Sequence, residues 1–355
     1  MLKKLFLLLL CLVMAVSFVG CGDSDNSSIE ETPDDESSVI TPDDESSVSI
    51  PTYYVNGLTG IKNLTEDKKD LRPVAVMVNN IKVAQKVQSG VQNADIIYET
   101  EVEGGITRLL AVFKDITAAK QIGTIRSARY VYIDLALGHD AFYFHNGTDV
   151  NYAKPHLKSS GVTDCDFASN FGAYGFREKN GLALEHTYYS TSEKINKGIE
   201  DKKLRKTTDK NFTFASFREE GEKLAPAKAA TFGSVRFSSS YVSEFKYNAE
   251  TGVYTKNTKG VTNKDYKTGE TYDVTNVFFL ASDMSHYPKA EYRKIDLTSG
   301  KGYYMSAGGY EEITWKKGNS NDSFKFYAAD GSELKVNAGK SWVCIYSKKY
   351  TPTFQ

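Results

Sequence analysis

The chain has 355 residues, 40% hydrophobic and 25% charged, with 44 Lys plus Arg against 45 Asp plus Glu. So even a balance gives no footing for a nucleic-acid binder, and the length suits two domains of typical size behind an N-terminal leader. The charge is unevenly placed: residues 22–50 hold 10 acids and no base, whereas residues 51–355 hold 42 bases and 35 acids, net +7.

Residues 1–20 begin with Lys3 and Lys4, run apolar from Leu5 to Val19 and end at Gly20, immediately before Cys21. This is the layout of a bacterial lipoprotein signal, with Cys21 as the lipidated first residue of the mature chain. The apolar run is shorter than the roughly 20 residues that a helix needs to cross a bilayer. The expected location is therefore the extracytoplasmic face of the cell membrane, reached through a diacylglycerol and acyl (palmitate-type) anchor. Residues 21–52 follow as an acidic tether in which TPDDESSV occurs twice. It has too few apolar residues to offset the entropy of ordering and is expected to be disordered.

The body is expected to be α+β: a mixed α/β domain over 53–224, then a smaller, mainly antiparallel β domain over 225–355. RPVAVMVNN reads as a strand buried on both faces. ADIIYETEVEGGITRLLAVF reads as two strands joined through Gly104 and Gly105. QIGTIR suggests another strand, and SARYVYIDLALGHD a helix with Ser127 as N-cap. DAFYFHNG is strand and turn, and STSEKINKGIEDK a further helix capped by Ser190 or Ser192. Beyond 225, SEFKYNAETGVYTKN, YYMSAGGYEEITWKKG and FKFYAADGSELKVNAGKSWVCIYS each read as hairpins. Trp315 and Trp342 there suit a sheet core, or else a surface on which glycans stack. Cys165 and Cys344 have no metal-ligand spacing and stand either as buried singletons or as a pair.

The functional question centres on charge. A strand period of two places Glu99, Glu101 and Glu103 on one face, roughly 7 Å apart. Downstream come Arg108, then Arg126 and Arg129 around Ser127 at a helix start, where cations oppose the helix dipole. Acids and arginines therefore have a mutual reason to meet. Either they form a structural ion-pair network, or the arginines receive a phosphate or carboxylate. Carboxylates facing arginines also suit metal-assisted phosphoryl transfer, with acids holding Mg²⁺. No Walker loop or GxGxxG accompanies them. His145 and His186 lie near hydroxyl groups as potential bases, although no Gly-x-Ser-x-Gly elbow is present.

Together RPVAVMVNN, ADIIYETEVEGGITRLLAVF, IGTIRSAR, HTYYSTSEKI, KGYYMSAGGYEEITWKKG and SWVCIYS resemble the YerB-like lipoproteins, a family labelled as a domain of unknown function with N- and C-terminal parts. The resemblance spans about 71–347 and includes Glu99, Glu103, Gly104, Gly105, Thr107, Arg108, Arg126, Ser127 and Arg129. The chain departs from the pattern at Tyr130, where proline is common, and at HNGT, where HAGG is usual. The resemblance implies an extracytoplasmic lipoprotein of Gram-positive type, and it supplies no catalytic residue. The expectation is thus a cell-envelope binding or regulatory module needing no cofactor. Its partner would be the membrane through the anchor, with a wall-synthesis protein or an anionic envelope polymer. The alternative is a Mg²⁺-assisted phosphoryl or glycosyl phosphate transferase acting on such a polymer.

Overall fold

Continuous apolar runs need cover on both sides, and that requirement organises the body. The computed structural model describes residues 52–208, 212–288 and 291–355, so Cys21 and the tether lie outside the described residues. Strands Val74–Asn79, Ile96–Glu101, Thr107–Phe113 and Ser341–Ser347 are buried along their whole length. They form the middle of an eleven-stranded mixed sheet. From the centre outward on one side run Thr107–Phe113, Val74–Asn79, Phe142–His145 and Thr163–Asp166. On the other side Ser341–Ser347 is followed by Asn276–Ser282, Ser299–Ser306, Gly309–Lys316 and Lys228–Ala229, with Lys325–Ala328 also on Gly309–Lys316.

One face of this sheet carries Val76, Val78, Ile97, Leu109 and Phe113, which share a core with Phe245 and Tyr254 of a second, six-stranded sheet. Helix α3 (Ser192–Asp201) adds Ile195 and Ile199 to the same core. The opposite face carries Ala75, Met77, Tyr98, Leu110 and Val112 against helix α1 (Tyr130–Gly138), through Tyr132, Ile133 and Leu135. The short helix α2 (Ala153–Ser159), which has a proline inside and no clear period in the sequence, packs there through Leu157.

The α+β class holds, but the boundary at 224/225 does not divide two separate cores. Ser341–Ser347 pairs in parallel with Ile96–Glu101, placing Cys344 opposite Glu99, so both halves share the central sheet. Residues 50–355 accordingly form one compact unit. The stretch read as a hairpin from Phe324 onward also comes apart: Lys325–Ala328 joins Gly309–Lys316, Lys335–Val336 joins Ser216–Phe217, and Ser341–Ser347 inserts at the sheet centre. QIGTIR contributes a strand of only two residues, Ile122–Gly123. Cys165 and Cys344 are free and buried. Four strands separate theirs; at about 4.8 Å per strand the gap is on the order of 24 Å, beyond disulfide reach. Trp315 and Trp342 are buried, as sheet core and not as a glycan-stacking surface.

Candidate functional site

The row of three glutamates ends after two, because the strand stops at Glu101 and the chain turns through Glu103–Gly105. Gly104 and Gly105 take φ of +68° and +69°, a left-handed pair that side-chain-bearing residues rarely adopt. Glu99 stays with the sheet. Its carboxylate is fully buried and accepts from Asn80 Nδ2 at 3.0 Å, Thr107 Oγ1 at 2.8 Å, Ser243 Oγ at 2.9 Å and Trp342 Nε1 at 3.0 Å. Those four donors fill the lone-pair positions of an ionised carboxylate. Nearby, the buried Lys256 ammonium donates to the Asn257 carbonyl at 2.7 Å and Thr258 Oγ1 at 2.9 Å. Burial pulls the Lys256 pKa down, and the charge of Glu99 opposes that shift.

Glu103, swung out by the turn, meets the arginines. Arg108 Nη2 lies 2.8 Å from Oε1, and Arg129 donates from Nε at 2.8 Å to Oε2 and from Nη2 to Oε1. Burial raises the Glu103 pKa, but the Arg129 hydrogen bond and both guanidinium charges outweigh it and hold the carboxyl at about 2. Burial and the adjacent Arg129 lower Arg108 to about 10, so it remains cationic at neutral pH. Glu99 and Arg108 cannot meet, because the register sets Glu99 opposite Leu109 and Thr100 opposite Arg108, on the other face of the sheet.

Ser127 does not cap helix α1. The N-cap is Arg129, without a side-chain cap bond, and Ser127 supplies its carbonyl to Arg108 Nη1. Helix α3 is capped by Thr191, whose hydroxyl accepts the Lys194 amide at 3.2 Å, rather than by Ser190 or Ser192. Arg126 points away from Glu103, toward Glu185 at 3.7 Å, with its side chain 28% exposed. His186 sits beside it, its Nδ1 2.8 Å from Asn79 Nδ2 and its pKa lowered by burial. His145 is buried, with Nε2 2.7 Å from Asp164 Oδ1 and Nδ1 2.8 Å from the Gly147 carbonyl. The residues expected to gather thus fall into four places, of which only the Glu103, Arg108, Ser127 and Arg129 node joins more than two of them. Among the described residues no group of three His, Cys, Asp or Glu side chains stands as metal ligands would.

A second feature escaped the sequence. A groove of about 610 Å³ opens between the segment after Val74–Asn79, the turn at Ile106, Tyr241 and the hairpin around 259–260. Its apolar lining includes Ile81, Ile106, Tyr241, Val261 and Tyr266, and Lys82, Lys86, Lys259 and Lys264 rim it. These lysines come as two pairs, Lys82 with Lys86 and Lys259 with Lys264, from stretches more than 170 residues apart, so no single local motif marks them. No helix among the described residues is long and apolar enough to cross a membrane.

Residues 58–205 match the family model described as "Protein of unknown function (DUF3048) N-terminal domain", and residues 233–343 match the corresponding C-terminal domain. The chain is 32% identical over 295 residues to "Putative lipoprotein YerB" of Bacillus subtilis (strain 168), covering 81% of this chain and 85% of that protein. The crystal structure of the YerB protein from Bacillus subtilis superposes with a TM-score of 0.73 at 27% identity, over 84% of this chain and 99% of that one.

Proposed function

Because the chain belongs to the DUF3048 family of YerB-like lipoproteins, we propose that it is a lipid-anchored, extracytoplasmic binding module of the cell envelope and not an enzyme. The observation that carries the second half of this reading is that the acids and His145 are already occupied within the protein, with the buried Arg108 Nε left without a partner. Glu99 is enclosed by four donors, Glu103 by two arginines, and His145 is held at both ring nitrogens. A transferase of the expected kind needs acids and arginines converging on an open cleft. Here Glu99 and Arg108 lie on opposite faces of one sheet. The anchor half rests on the signal ending at Cys21 and on the lipoprotein name of the relative.

Metabolic labelling with a fatty-acid analogue tests the anchor: the wild type takes up label and Cys21→Ala does not. Equal label on both removes the anchor from this reading. For the non-enzymatic half, the protein is incubated with a polyprenyl-phosphate analogue and Mg²⁺. The analogue is expected to be recovered unchanged; turnover that Arg129→Gln abolishes would replace the binding module with a transferase.

A further inference from the structure

The lysine-rimmed groove sets four cations around a concave apolar lining. Ion pairs elsewhere hold Lys68 to Asp115, Lys228 to Glu312 and Lys267 to Glu178. Lys82, Lys86, Lys259 and Lys264 are exposed and form no ion pair among the described residues. One acid, Asp265, lines the groove, and it is buried with its carboxylate already taken by the amides of Gly90, Lys267 and Thr268, at 2.6, 2.8 and 2.8 Å. Glu244 adds a second carboxylate at the hairpin tip, where it accepts the Gly260 amide at 2.7 Å, so four ammonium groups against two carboxylates leave the rim with a net positive field above an apolar lining.

The apolar part is exposed as well as concave. Val261 is 69% and Tyr266 43% exposed, on the two sides of a segment that also carries Lys264. Large side chains left in water next to a ring of lysines mark a surface that something amphipathic covers. Lys259 sits at the turn that edges the groove, in a left-handed conformation that Asp140, Lys203 and Ala307 also take elsewhere. It occupies φ +48° and Gly260 +75° at the tip of the hairpin that pairs Thr258 with Val261. Such a turn favours asparagine or glycine at its first position. A lysine there holds a cation over the groove in a backbone conformation that β-carbon-bearing residues adopt at some cost.

We infer that this groove binds a phosphate-bearing lipid of the membrane to which the chain is anchored, with the phosphate among the four lysines and part of the hydrocarbon against Ile81, Ile106 and Val261. The inference rests on the binding-module reading and names its ligand. Lysine ammonium groups act as point charges toward phosphate and bind it without fixed geometry. A groove of about 610 Å³ lies within the roughly 300–1,000 Å³ of small-molecule sites, the scale of one lipid and not of a polymer segment. A wholly hydrophilic polyanion would leave the exposed Val261 and Tyr266 uncovered, and for this reason a lipid is favoured over a teichoic-type chain.

The test uses residues 50–355, the compact unit whose counterpart in the YerB crystal structure stands as a fold of its own. Calorimetric titration and thermal unfolding are run with dihexanoyl phosphatidylglycerol below its micelle concentration, dihexanoyl phosphatidylcholine, and glycerol 3-phosphate. Binding of the phosphatidylglycerol at least tenfold tighter than of either other probe is expected. Replacing any one of the four lysines by glutamine is expected to weaken it roughly fivefold, the equivalent of about 1 kcal/mol per cation. Raising the salt weakens it further. These lysines are exposed, so their loss leaves the fold intact and unfolding in the absence of probe verifies this. Equal binding of the phosphatidylcholine, equal binding of glycerol 3-phosphate, or no binding at all each overturns the inference while leaving the module reading in place. Mass spectrometry of the recovered probe separates the two claims: an intact lipid supports both, whereas a bound lipid that loses its headgroup keeps the groove and ends the non-enzymatic reading.

Discussion

Arg108 and Arg126 look alike in the sequence, yet burial sets them apart. Arg108 is almost fully buried, between Glu103 and the Ser127 carbonyl. Its replacement by glutamine strands Glu103 partly unpaired and is expected to destabilise the body by about 3 kcal/mol, the scale for breaking a buried pair. Arg126→Gln removes a longer contact between a half-buried arginine and an exposed glutamate, and a loss below about 1 kcal/mol is expected. Urea unfolding of both variants checks the contrast; equal losses would mean that Arg126 also belongs to the node. Glu103 carries a pH signature. Its folded pKa of about 2 lies below the 4.5 of an unperturbed glutamate. The stabilisation it brings is complete above about pH 4.5 and is lost as the pH falls toward 2, amounting to about 3 kcal/mol. Compared with wild type, Glu103→Gln is expected to be less stable at neutral pH and to show a shallower acid decline between those limits. Parallel decline curves for the two proteins would contradict this account.

At the scale of elements, the hairpin Val253–Thr258 to Val261–Thr262 joins stability and function in opposite senses. Lys259→Gly relieves the left-handed strain and is expected to raise stability by up to about 1 kcal/mol. If the groove binds lipid phosphate as inferred, the same change weakens the phosphatidylglycerol probe. A variant both less stable and equally good at binding would count against the strain argument and the lysine's role together. Helices α1 and α3 show how local signals mislead by a residue or two. Hydroxyl residues cluster before each, and the Thr191 side chain takes up the amide in α3, whereas in α1 the tight approach of Arg129 to Glu103 leaves the N-cap to an arginine. Propensity favours a class of cap, and packing decides which residue serves.

In the whole molecule, the insertion of Ser341–Ser347 between Ile96–Glu101 and Asn276–Ser282 makes the two halves interdependent. Denaturant unfolding of residues 50–355 is expected to give coincident transitions by tryptophan fluorescence, which reports on Trp315 and Trp342 of the C-terminal half, and by far-ultraviolet circular dichroism, which reports on both. Residues 53–224 alone, with the edge of Ile96–Glu101 bare, are expected to show no cooperative transition. Two separated transitions would restore independent domains. Local pattern carried the signal layout at Cys21, the fully buried strand Val74–Asn79, the Gly104–Gly105 turn and the family, because each is written in neighbouring residues and in side-chain period. It also marked Glu99, Glu101 and Glu103 with Arg108, Arg126 and Arg129 as charges with a reason to meet, without separating those that do from those that do not. Which acid meets which arginine, and that Glu99 is closed off by Trp342 from the far end of the chain, depended on register and strand order. The groove likewise required two distant pairs of lysines to be brought together. Contacts between residues distant in sequence are chosen by which faces can be covered at once, a property of the packed sheet as a whole and of no segment by itself.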